Sequence, residues 1–177
     1  MAKKATRRSI KSKKVILPKK MSKLIKVALR DMRKAEAKPD KYVINMSEWY
    51  NPDQTVDCVL SGDNNIVIES KPVCVMCAAG SVMAFTLKAT KAADGPEHFP
   101  DNEHQLSAID DLRCGQVGAA AAELGLHETE WDESTCSYKP NQFERYNTHI
   151  PEYDRDKPEP FHKAMEKLQA KLEKAGL

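Results

Sequence analysis

No run of about 18 consecutive apolar residues occurs in this 177-residue chain, so no segment reads as a helix that spans a bilayer. The first residues carry charge where a secretory leader needs an apolar stretch, and a cytoplasmic address is the expectation. A glycine-rich phosphate loop, an H-E-x-x-H helix and a G-x-S-x-G elbow are all missing, which removes the commonest nucleotide-binding, zinc-protease and serine-hydrolase readings. There is no internal repeat. An even cysteine framework is missing too. The five cysteines are Cys58, Cys74, Cys77, Cys114 and Cys136, and at least three lie among apolar or small residues, as reduced thiols in a reducing compartment do.

What the chain has is a divided charge. Its net charge of +2 hides sixteen Lys or Arg against three acids in residues 1–41, and twelve against twenty-three in residues 42–177, or +13 followed by −11. Residues 1–20 hold nine cations and no acid, with only Ile10, Val15, Ile16 and Leu17 as sizeable apolar side chains. Such a segment buries too little surface to offset its ordering entropy, and a flexible basic arm ending near Pro18 is expected. The remainder, 21–177, is the right size for a single domain with one core.

Ser22 reads as a helix cap, and Leu24, Ile25, Ala28, Leu29 and Met32 then line one face of a helix that Pro39 ends. Trp49 precedes the Asn51-Pro52-Asp53 turn signal, as a core anchor at a chain reversal. Val56–Leu60 and Ile66–Ile68 flank Ser61-Gly62-Asp63-Asn64-Asn65 as a short β-hairpin, which must pack on helices to persist. Pro72 opens the most apolar segment, Val73–Leu87, read as a central buried helix with a small-residue face. After a polar loop at 91–101, Asn102-x-x-Gln105 fits a capping box. Helical spacing then runs from Leu106 to a stop at Gly125, with Gly115 and Gly118 as places where the helix can bend. Residues 127–160 form an irregular, aromatic segment, expected to pack as an arm. A last amphipathic helix covers 161–175. The fold class is therefore mainly α: a single domain of about four main helices with a small β-hairpin and an irregular aromatic arm.

Several constellations invite a chemical reading. Cys74-Val75-Met76-Cys77 has C-x-x-C spacing, but no second close pair completes a zinc site and no βαβ context supports a redox site, so buried structural thiols are the favoured reading. The enzymatic alternative makes Cys74 a nucleophile near the start of the buried helix, with His98 or His104 as base. Asp110, Asp111 and Arg113 read as a surface ion pair or a grip on an anion. His98 and His104 beside Asp101 and Glu103, and Glu128, Glu130, Asp132 and Glu133 around Trp131, read as solvated clusters rather than metal sites. No metal and no cofactor is expected.

The segments Cys77–Ala84, C-A-A-G-S-V-M-A, and Arg113–Leu126 resemble short helical proteins of phages and bacteria in which a cysteine leads a small-residue helix. The resemblance covers about the middle third of the chain. It implies a small helical fold and a phage or mobile-element origin, and transfers no activity or catalytic residue.

Together these features predict a non-enzymatic binding protein that engages a nucleic acid or nucleoprotein complex through the arm and the first helix. The residues expected to meet the polyanion are Lys3, Lys4, Arg7, Arg8, Lys11, Lys13, Lys14, Lys19, Lys20, Lys26, Arg30, Arg33 and Lys34, through counterion release. A phage-encoded inhibitor or accessory factor acting on a host machine fits this description. The second reading is a protein-protein inhibitor or assembly factor that uses the acidic body, with Trp131, Tyr138, Phe143 and Tyr146 as anchors on a host protein. The third is a cysteine- or zinc-dependent enzyme.

Overall fold

The computed structural model describes residues 14–62, 65–126, 131–138 and 142–177. The first thirteen residues of the expected arm, with Lys3, Lys4, Arg7, Arg8, Lys11 and Lys13, lie outside them. So do 127–130 and 139–141 of the expected aromatic arm.

Helix α1, Met21–Glu36, is the hub. Its apolar face buries Met21, Leu24, Ile25, Leu29 and Met32, each worth about 1.5–3 kcal/mol on burial, so the helix persists without a side-chain cap. Lys20 occupies the cap position. Ser22, expected there, lies inside the first turn and donates from its N–H (3.3 Å) and its hydroxyl to the Leu177 carbonyl oxygen. The chain just before α1 is tied down: Leu17 is buried, its N–H donates to Asn102 Oδ1 at 2.7 Å, and Asn102 Nδ2 donates to the Val15 carbonyl at 3.0 Å.

Strand β1, Tyr42–Ile44, runs parallel to the end of β3 with Tyr42 opposite Cys74 and Ile44 opposite Met76. β2, Tyr50–Gly62, and β3, Asn65–Met76, form an antiparallel hairpin much longer than the sequence suggests. Its register shifts between Asn51 and Gln54, around Pro52, as expected where proline cannot donate to the ladder. The sheet order is β1-β3-β2.

The expected helix over Val73–Leu87 divides. Val73–Met76 ends β3, Cys77 turns the chain, and only Ala78–Phe85 is helical, as α2. A short apolar run suits a buried strand as well as a buried helix, and the β-branched Val73 and Val75 have ladder partners in Gln54 and Asn51. The small face of α2 has the expected effect: a Cβ on Gly80 would lie 1.5 Å from the Trp49 carbonyl oxygen, so this helix rests directly on the backbone before β2.

The next helical stretch also divides, into α3, Glu103–Arg113, and α4, Val117–Glu123, at Gly115 with φ +78°. Asn102 makes no capping bond to α3, because its side chain is spent on Val15 and Leu17. After a small β4–β5 hairpin, Trp131–Asp132 and Ser137–Tyr138, the chain reaches α5, Glu159–Lys174. α5 packs antiparallel to α1, through Leu177 near Ser22, Glu166 on Arg33 and His162 on Glu36. Among the described residues there are thus five α-helices and a small three-stranded sheet around one core, and no helix is long and apolar enough to cross a membrane.

Candidate nucleic-acid interface

With its apolar residues turned inward, α1 leaves Lys23, Lys26, Arg30, Arg33 and Lys34 exposed. Four of these, Lys23, Lys26, Arg30 and Arg33, line a groove of about 690 Å³ between α1 and α5, with Val27 and Leu29 below and Glu166 and Gln169 opposite. The cations differ in what they are already doing. Arg30 donates through Nε to Asp31 at 2.9 Å and through Nη2 to Thr86 at 2.5 Å, Lys34 donates to Asp31 at 2.8 Å, and Arg33 pairs with Glu166. Lys19, Lys23 and Lys26 have no polar partner among the described residues. Lys14 pairs with Asp101 at 2.5 Å, and Lys20 Nζ donates to the Gly176 carbonyl at 3.0 Å.

Asp31 itself is wholly buried on α1. Burial pushes its carboxyl up, but hydrogen bonds from Arg30, Lys34 and Thr86 outweigh that and hold it below the usual aspartate value. The acid therefore holds the charged ends of Arg30 and Lys34 against α1 and offsets part of their charge. Glu36 is held down likewise, against its burial, by His162 Nε2 at 2.8 Å and the Tyr153 hydroxyl at 2.9 Å.

A second cationic groove, of about 410 Å³, lies on the other flank of α5. Lys163, Lys167 and Lys171 line it with Thr148 and His149, and no carboxylate contributes. These lysines are not among the residues the sequence points to as meeting a polyanion. Their four-residue spacing was the available signal, but the neighbouring 148–149 segment that turns a row into a groove was not.

The other sequence candidates fall elsewhere. Cys74 sits in β3, and burial and the nearby Asp53 push its thiol up to about 11 against a hydrogen bond from Tyr50. Cys77, rather than Cys74, stands at the start of α2, accepting the Gly80 N–H at 3.4 Å, and burial likewise lifts it to about 11. The histidines expected as a base for Cys74 are engaged at the surface, His98 with Asp94 at 2.8 Å and His104 near Glu123 at 3.8 Å. Asp94, Glu97 and His98 form an exposed trio of possible ligand atoms. Arg113 donates to Asp110 at 2.6 Å on the wall of a third cavity, of about 610 Å³, that Cys77, Cys114, Trp49 and His149 also line. Of the aromatic anchors, Phe143 is buried in the core, Tyr146 packs on it beneath the Arg145 guanidinium, and Trp131 pairs in register with Tyr138 across β4–β5. Phe143 thus ties its segment to the domain instead of offering an open face.

No protein-family model, no curated protein and no solved structure matches this chain.

Proposed function

We propose that the protein is a binding protein whose ligand is a nucleic acid, alone or within a nucleoprotein complex, held by the exposed face of α1 and by the basic segment before it. The observation that carries this reading is the convergence of Lys23, Lys26, Arg30 and Arg33 on one groove. Lys23 and Lys26 are exposed and keep their charge uncompensated by any described acid, so they can replace counterions on a phosphate backbone. The segment 1–20 adds nine cations and no acid. Nothing about the groove selects a base sequence, so the contact is with the backbone and its affinity falls steeply with salt. The raised thiols of Cys74 and Cys77 weigh against nucleophilic catalysis, since the thiolate is the reactive form.

Fluorescence anisotropy with a labelled duplex, at about 50 and about 200 mM salt, tests this. The native chain is expected to bind with a strong salt dependence, and Lys23→Gln with Lys26→Gln to reduce the log-log salt slope by about two. Absence of binding at the lower salt, or a slope the double variant leaves unchanged, overturns the reading.

A further inference from the structure

We infer that α5 carries a second phosphate-binding flank, and that the nucleic acid is a duplex whose two backbones lie on either side of this helix. The inference rests on the nucleic-acid reading of α1 and goes further by naming the form of the ligand.

Lys163, Lys167 and Lys171 recur every four residues, about 6 Å apart along the axis and on one side of the helix. All three are exposed, and none has a polar partner among the described residues. Together with Thr148 and His149 they frame a groove without an acid, which makes it selective for anions by charge alone. The α1 groove meets α5 instead through Glu166 and Gln169. At about 100° per residue, Gln169 lies about 120–160° around α5 from the lysine row, whereas Glu166 lies about 60° from Lys163 and marks the lip between the two grooves.

Between the two cationic flanks runs the exposed ridge of α5, with Glu159, Glu166 and Glu173 at seven-residue intervals. A single phosphate strand covering both flanks would have to cross that acidic line. Two strands need not. A duplex presents two backbones separated by a major groove about 12 Å wide, and an α-helix with its side chains is about 10–12 Å across. Seated there, α5 sets the α1 cations against one backbone and the lysine row against the other. Its Glu159 and Glu173 then stand over base edges, where a cytosine amino group can donate to them, while Glu166 stays paired with Arg33 on the α1 side. A flat anionic membrane fits this relief poorly, because it would meet the glutamate ridge first.

The test uses the full chain and compares one labelled sequence as duplex and as single strand. Lys163→Gln, Lys167→Gln and Lys171→Gln together are expected to weaken duplex binding more than ten-fold, reduce its salt slope by about two to three, and alter single-strand binding less than two-fold. The matching triple Lys→Arg variant is expected to bind duplex as the native chain does, which separates charge from any loss of folding. If the glutamine triple leaves duplex binding and slope unchanged while Lys23→Gln with Lys26→Gln weakens both, the inference is overturned and the α1 reading stands. If the native chain binds neither form, the α1 reading fails and takes the inference with it. Equal losses on duplex and single strand, or loss of binding to anionic lipid vesicles with no effect on duplex, also overturn it.

Discussion

Asp31 fixes two of the cations on the exposed face of α1, Arg30 and Lys34. It is fully buried, yet its neighbours Arg30 and Lys34 are about half exposed, so the carboxylate holds the charged ends of two side chains that remain partly in solvent. Replacing it with alanine removes charge-assisted hydrogen bonds without stranding a buried cation, and is expected to cost about 1.5–3 kcal/mol, read from the urea midpoint. The effect depends on pH in a defined direction. The folded carboxyl titrates below the unfolded one, so its contribution is fully present above about pH 4 and is lost as pH falls through the lowered folded value. The gap between native chain and Asp31→Ala should therefore be large at neutral pH and close in acid. A gap that stays constant to about pH 2 would mean that the carboxylate's charge contributes nothing. Glu36, held down by His162 and Tyr153, adds an acid-labile contribution of the same sign.

At the scale of elements, the break between α3 and α4 positions the lysine groove. Gly115 has φ +78°, and a Cβ there would lie 1.7 Å from the Thr148 carbonyl oxygen, while its own carbonyl accepts the Thr148 N–H at 3.1 Å. Gly115→Ala combines a strained backbone with a clash against the segment bearing Thr148 and His149. It is expected to destabilise by at least about 1–3 kcal/mol, whereas Gly125→Ala, with φ +64° but no atom within 4 Å, carries the strain without the clash. Equal losses in thermal melts of the two variants would show that the contact with Thr148 is unimportant. This bend was legible as a glycine inside a helical pattern; its partner thirty-odd residues away was not. The same limit governs the rest. α1 and α5 were readable because a 3.6-residue period survives over sixteen residues. Val73–Leu87 was misjudged because uninterrupted apolarity has no period, so only its pairing with β2 decides where strand gives way to helix. The α1 cations could be read from their face of the helix, but Glu166 as a partner for Arg33, and α5 as the far wall of the groove, depend on tertiary packing.

For the whole molecule, the question is where the segment proposed to bind nucleic acid gives way to the domain. The nine cations of residues 1–20 form one compositional block, but the structure divides it: Val15 and Leu17 are bonded to Asn102, Leu17 is buried in the core, and Lys14 pairs with Asp101. A deletion through residue 20 would thus remove core as well as charge and confound binding with stability. Removing residues 1–13 takes away six cations, Lys3, Lys4, Arg7, Arg8, Lys11 and Lys13, and leaves every one of those contacts in place. This truncation is expected to leave the unfolding midpoint essentially unchanged and to weaken nucleic-acid binding. If all six cations reach phosphates, the log-log salt slope falls by about five, at 0.9 per neutralised phosphate on duplex. A smaller fall counts how many of them do. If the slope does not change, the α1 and α5 faces carry the binding alone. A drop in melting temperature without loss of affinity would instead make the segment a counter-charge for the acidic body, whose residues 42–177 hold twenty-three acids against twelve cations.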